Sequence, residues 1–283
     1  MQLGYVGLGN MGAALARRLL RKHKMRVYDL RPEAMARLAD LGGIASQSPK
    51  ALAAECDLVM TCLPTSKEVQ QVVFGSDGLA SGLKKGAIIV DHSTTLPDAT
   101  RTRAERHQAQ GIRYLHAPVF MSPQMAESGI GLILVSGPQA EFDEVRSELE
   151  GMTGEVWYLG ERPDLAAAYK LFGNCMLFAI SGGLADIIAM ARANDIDAVE
   201  AMKLFTKFLP GNVIAARGPR MARNEVTPTS FEISMARKDV GLMMTAAKDQ
   251  PLVGLPCIAK RMDELIKTGK GGLDITAIGP AAK

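Results

Sequence analysis

Residues 6–12 read "VGLGNMG", and the fold turns on what these three glycines do. The preceding "LGYVGL" is a short apolar run of strand character, and the following "AALARRLLRK" is an amphipathic helix. Gly7, Gly9 and Gly12 therefore form a G-x-G-x-x-G turn between a strand and a helix, where free helix amides can receive a pyrophosphate. A second strand, "MRVYDL", ends at Asp29, roughly 20 residues after the glycines. A carboxylate there can accept hydrogen bonds from ribose hydroxyls. The register predicts that Gly7, Leu8, Gly9, Asn10, Met11 and Gly12 cradle a dinucleotide. Asp29 would repel a 2′-phosphate, which favours NAD, whereas Arg31 could stack on adenine or meet that phosphate, which keeps NADP open.

Working outward, the same alternation continues. "PEAMARLADLGG" reads as a helix with proline at its start and glycine past its end. "CDLVMTCLP", "GAIIVDHS", "GIRYLHAPV", "GLILVSG" and "EVWYLG" are further strands. "SKEVQQVVF", "PDATRTRAERHQAQG" and "AEFDEVRSELEGM" are helices between them. Strands alternating with helices imply a mostly parallel sheet covered on both faces. Beyond Gly160 only helical periodicity remains. The expected fold is an α/β Rossmann dinucleotide-binding domain over residues 1–161, followed by an all-α domain over 162–283.

The formal charge of +3 over 283 residues gives no electrostatic reason to expect a nucleic-acid or membrane partner. "RRLLRKHK" reads as a solvated helix face. The four cysteines, Cys56, Cys62, Cys175 and Cys257, make no CxxC pair, and no metal-ligand spacing occurs. Reduced thiols, no bound metal and a cytoplasmic location are expected. The N-terminus lacks the basic and apolar regions of a signal peptide. In "AAYKLFGNCMLFAISGGLADIIAMA", residues 167–191, the charge-free part from Leu171 to Ala185 is short for a bilayer. So apolar a helix needs cover, and a homodimer or homotetramer would supply it.

Several stretches together give a wider likeness: "GLGNMG", "CLPTSKEVQQVVFG", "DHSTTLPDATR", "HAPVFMSPQMAESGIGLILVSG", "KLFGN" and "ARKDVGLMMTAAKD". In these the chain resembles the β-hydroxyacid dehydrogenase family along essentially its whole length. That family includes 3-hydroxyisobutyrate dehydrogenase and tartronate semialdehyde reductase, and is related to 6-phosphogluconate dehydrogenase. The resemblance implies that Leu63 and Pro64 border the nicotinamide half of the cofactor. Ser93 and Thr94 would contact its ribose or the substrate. Lys238 would reach the cofactor or close over the site. Lys170 matches the catalytic lysine, and Asn174 the amide that follows it.

Two departures stand out. Where the family reads D-A-P-V-S-G-G, this chain reads "HAPVFMS", so Phe120, Met121 and Ser122 replace the residues that hold a substrate carboxylate. Gly173 also stands where a first asparagine is usual. A bulkier, more apolar floor formed by Phe120 and Met121 argues for a short or apolar carbonyl substrate, with Ser122 still able to meet a carboxylate.

Lys170 and Asn174 are one helical turn apart and share a face, which would point them into a cleft between the domains. Apolar surroundings disfavour the ammonium form and bring such a lysine toward neutrality. It can then exchange a proton with a substrate oxygen as hydride moves at the attached carbon. The leading expectation is an NAD(P)-dependent oxidoreductase interconverting a small 3-hydroxy acid and its semialdehyde. The alternatives are an imine or other carbonyl reductase of the same fold, and a dinucleotide-binding module without catalysis. His116 is a rival base, His92 supports the "DHST" loop, and His23 and His107 have no evident role.

Overall fold

The computed structural model describes residues 1–279. Each half of the first compact unit is built on the pattern of strand, turn and helix. In chain order come β1 (Leu3–Val6), α1 (Asn10–Leu20), β2 (Met25–Tyr28), α2 (Pro32–Ala36), β3 (Gly43–Ala45), α3 (Pro49–Ala53), β4 (Leu58–Thr61), α4 (Ser66–Phe74), β5 (Ile88–Asp91), α5 (Pro97–Ala109) and β6 (Arg113–His116). The six strands pair in parallel in the order β3-β2-β1-β4-β5-β6, the order of a doubly wound dinucleotide fold. The register aligns the strand ends: Val6 lies beside Tyr28 and Thr61, and Thr61 beside Asp91. Loops that must hold one ligand therefore leave the sheet at one level.

Alternation within each strand fills two cores. Leu3, Tyr5, Leu58, Met60, Ile88 and Val90 pack on one face with Leu15 and Leu19 of α1. Val6, Val59 and Ile89 point to the other, against Leu52, Val69, Val73 and Tyr114. Both faces being covered, the central strands β1, β4 and β5 are buried along their whole length.

After β6 the chain adds β7 (Val119–Phe120), α6 (Pro123–Ser128), β8 (Leu132–Val135), α7 (Gln139–Met152) and β9 (Glu155–Tyr158), in a small separate sheet ordered β7-β8-β9. β7 runs antiparallel to β8, and β9 parallel to it. Neither β3, α3, β7 nor α6 is evident from apolar periodicity. The two short helices do carry a signal: each opens with Ser-Pro, and the Ser48 and Ser122 hydroxyls accept the Ala51 and Met125 amides. The single helix expected over "PEAMARLADLGG" stops at Ala36 and continues as a short tight turn, ended by Gly42 at φ 94°.

The long helix α8 (Leu165–Ala193) follows, and the first compact unit ends within it, at Asn174. The boundary expected at 161/162 falls instead on the turn before this helix. The second unit, from Cys175 onward, contains α9 (Ala198–Met202), α10 (Asn212–Ala222), α11 (Ile233–Ala246) and α12 (Leu255–Lys267). Its core joins Ile233, Ala236 and Val240 to Ala259, Met262 and Leu265, two stripes at helical spacing.

By length and composition α8 would pass as a membrane-crossing helix, with a mean hydropathy of 1.6 in a window of which 6% is buried. It carries a buried carboxylate, however. Asp186 accepts the amides of Val253, Gly254 (3.0 Å) and Leu255 (2.8 Å), and so caps the start of α12. None of the four cysteines is in a disulfide. Among the described residues no group of three or more His, Cys, Asp or Glu gathers as a metal site.

Candidate active site

The three glycines of the first loop differ in their surroundings. Gly7 sits at φ 90°, and a Cβ there would collide with the Cys62 carbonyl oxygen. A Cβ on Gly12 would overlap the Gly7 carbonyl oxygen, so this glycine lets α1 approach the turn. Gly9 meets nothing within 4 Å, so it borders open space. Gly9 also caps α1 without any side-chain hydrogen bond, and the first turn contains no acidic residue. Its free amides and the partial positive charge of the helix end suit a phosphate.

Asp29, half-buried just past β2, ties this loop down. Its Oδ2 accepts the Leu8 amide (2.7 Å), and its Oδ1 accepts the amide and Nε of Arg31 (3.0 and 2.9 Å). Burial pushes its pKa up, but the hydrogen bonds from Arg31 and Leu8 outweigh this and hold the carboxyl below its usual value of 3.8. The Arg31 guanidinium is thereby engaged by Asp29 and by the Leu8 carbonyl (3.3 Å).

A cavity of about 510 Å³ opens over the loop. Of the residues expected at the cofactor, Gly7, Gly9, Met11, Gly12, Asp29, Arg31, Leu63 and Pro64 line it. Tyr28, Leu30, Cys62, Glu68 and Val72 also line it, without having been singled out. These adjoin the expected residues at the strand ends or lie on α4. Leu8 and Asn10 face a neighbouring hollow of about 390 Å³ with Arg17 and Arg37. The missing Cβ at Gly9, the uncapped helix end and the ionised Asp29 fit a dinucleotide's pyrophosphate and ribose.

Leu63 and Ser93 are joined, since the Leu63 amide donates to Ser93 Oγ (2.9 Å). The Ser93 amide donates to Asp91 Oδ1 (3.0 Å), and the Ser93 carbonyl contacts His116 Nε2 (3.0 Å). Ser93 is thus a buried clip between loops, while the neighbouring Thr94 is exposed.

The clip rests on Asp91, which sequence reasoning passed over. Asp91 is fully buried and accepts from Thr61 Oγ1 (3.0 Å), Arg103 Nη1 (3.0 Å) and the Tyr114 hydroxyl (3.3 Å). Desolvation opposes its charge, but the Arg103 guanidinium and the Ser93 hydrogen bonds hold its pKa below 3.8. The available signal was on α5, where Thr100, Arg103 and His107 recur at helical spacing and are all buried. His107 thus belongs to the core, stacked on Tyr114, and burial pulls its pKa down to about 4. His92 and His116 are likewise buried, with pKa values lowered mainly by desolvation. His92 Nδ1 lies 2.6 Å from the Ala117 carbonyl. A fully enclosed, neutral His116 is poorly placed to serve as the rival base.

Lys170 lies half-buried on α8, with Nζ 4.1 Å from the centroid of the Phe120 ring. Desolvation lowers its pKa from 10.5. Its amine makes no hydrogen bond or ion pair among the described residues. Asn174, also half-buried, follows one turn later. Of the altered loop, Phe120 reaches Lys170, whereas Met121 packs against the core beside α1 and Ser122 caps α6. Of the two residues expected to form an apolar floor, only Phe120 lies against Lys170; Met121, just past the end of β7, packs on the first core. Lys238 is exposed on α11 in the second unit, 3.3 Å from Asp239.

Residues 2–160 match the NAD binding domain of 6-phosphogluconate dehydrogenase. The chain is 27% identical to an L-threonate dehydrogenase from Cupriavidus necator over 98% of its own length and 94% of that protein. It is also 27% identical to a 3-hydroxyisobutyrate dehydrogenase from Pseudomonas aeruginosa, covering 98% of this chain and 96% of the relative. In fold it is similar to an imine reductase from Myxococcus stipitatus solved with NADP+, with a TM-score of 0.89, 18% identity and 98% of each chain covered. The glycine loop, the strand order and the matched domain agree: the chain belongs to the family defined by the NAD binding domain of 6-phosphogluconate dehydrogenase, as an NAD(P)-dependent oxidoreductase.

Proposed function

We propose that the protein reduces a compact carbonyl or imine compound with apolar flanks, and that Lys170 supplies the proton. One observation carries this reading: the Lys170 amine, pushed toward its neutral form by desolvation, rests against the Phe120 ring. The nicotinamide, when bound, supplies the hydride. Lys170 as an ammonium donates a proton to the substrate's oxygen or nitrogen, and as an amine takes it back in the reverse direction. Asn174, on the same helix face, orients the substrate by hydrogen bonding. Leu63, Pro64 and Thr94 border the nicotinamide end, and Ser93 fixes their loop. The reduced cysteines suit a cytoplasmic compartment, and the apolar face of α8 suits a homo-oligomer.

The second reading, a 3-hydroxy acid and its semialdehyde, is favoured by full-length likeness to relatives named for hydroxy acids and by the Lys170–Asn174 pair. A nicotinamide-absorbance screen separates the two. Small ketones and cyclic imines should be reduced at least tenfold more efficiently than carboxylate-bearing aldehydes. Turnover confined to hydroxy acids would establish the second reading. Nucleotide binding with no turnover on either set would point to a module without catalysis.

For the cofactor, ionised Asp29 and its hold on Arg31 favour NAD over NADP. Asp29→Ser removes the charge that opposes a 2′-phosphate and frees Arg31 to meet one. The ratio of NADP to NAD efficiency should rise on the order of tenfold, about 1.4 kcal/mol. An unchanged ratio would show that another group selects the cofactor.

A further inference from the structure

The geometry points to Phe120 and Gly173 as a single unit that positions Lys170 and sets substrate choice: the ring fills the space any side chain at 173 would need, and offers its face to the amine. The two positions are far apart in sequence, yet each accounts for the other. An ideal Cβ on Gly173 would overlap Phe120 Cζ and stand 2.7 Å from Cε1. Gly173 lies inside a 29-residue helix and adopts no left-handed conformation, so its backbone does not require glycine. Glycine is a poor helix former compared with alanine, and only the ring gives it a reason to be there. Residues 170 and 173 share a helix face, so the ring that rests on one reaches the other.

The seat has chemical consequences. An ammonium over an aromatic face is held by the ring's quadrupole, and a neutral amine packs there as an apolar group. Either way the ring keeps water from one side of the nitrogen. At position 120 the surface beside the amine offers a π face and no hydrogen-bond donor. A carboxylate next to the reacting carbon finds no partner there, whereas an alkyl flank or a protonated imine fits. This part rests on the proposed role of Lys170.

A four-variant cycle tests the unit: the parent, Gly173→Ala, Phe120→Ala and the double variant. In the parent, Gly173→Ala should leave Tm unchanged or lower it and cut kcat at least tenfold, because the ring is driven off its seat. In the Phe120→Ala background the same change should raise Tm by about 2–4 °C, since only helix propensity remains. Restoring polar groups at both positions, Phe120→Ser with Gly173→Asn, should shift the kcat/KM ratio at least tenfold toward carboxylate-bearing aldehydes. The pH profile of reduction should move with Phe120→Ala, which a merely structural ring would not cause. Equal Tm changes from Gly173→Ala in both backgrounds would overturn the pairing, and an unmoved pH profile would overturn the ring's positioning of Lys170. The Tm arm needs no substrate, so a failure of the Lys170 reading leaves the pairing independently testable.

Discussion

Lys170→Met should lower kcat by roughly 10²–10⁴-fold, the usual worth of a positioned acid or base, while dinucleotide affinity changes little. Methionine keeps the length and helix propensity of lysine but cannot carry the proton. The affinity is spared because the cavity proposed for the cofactor is lined by the glycine loop and Asp29 and not by Lys170. Arginine should not rescue, because its guanidinium stays protonated. The sign of the pH dependence follows from the lowered lysine pKa. Reduction needs the ammonium, so its rate falls as pH rises through that value; oxidation needs the amine and rises over the same range. Steady-state kinetics in both directions check this. Turnover within tenfold of the parent would remove Lys170 from the chemistry.

The second large effect is on stability. Asp91→Asn should cost about 3–5 kcal/mol, because it strips a buried Arg103 of its counter-charge. Arg103 and Asp91 are 1% and 0% exposed on their side chains, so water cannot replace the lost partner. At about 2–4 °C per kcal/mol this lowers Tm by roughly 6–20 °C. Arg103→Met should cost less, since Asp91 keeps the Thr61, Ser93 and Tyr114 donors. Asp91 is held below its ordinary pKa, so its contribution is fully present above about 3.8 and is lost as pH falls through the folded-state value. Thermal melts of both variants across that range check the sign. A loss under 1 kcal/mol for Asp91→Asn would mean the pair is dispensable. The Ser93 clip hangs from the same carboxylate, so KM should rise along with the loss of stability.

These two residues also show how legible the chain was. The dinucleotide fold could be read because its signals are local: glycines at 7 and 12 whose Cβ atoms would collide with backbone, and central strands buried on both faces. Lys170 and Asn174 were singled out from helical spacing and family likeness, and both lie half-buried on α8, the Lys170 amine against Phe120. Asp91 and Arg103 were not, because hydrophobic periodicity treats a helix such as "PDATRTRAERHQA" as solvated throughout, although its Thr100, Arg103 and His107 stripe is interior. Phe120 and Gly173 were visible only as two separate oddities. Their contact depends on how β7 and α8 meet, which no spacing in the sequence encodes. Ser122 was read as a group able to meet a substrate carboxylate; a Ser-Pro pair is also a helix start, and its hydroxyl accepts the Met125 amide.

Asp186 carries a lesson about order of synthesis. The carboxylate leaves the ribosome well before its partners, and all three of its amide donors come from residues 253–255. Until those emerge, the most apolar helix of the chain holds an unpaired charge that resists both burial in protein and entry into lipid. A chain terminated before Val253 would keep that charge and lose every donor. The final segment is thus what permits the middle of the molecule to close.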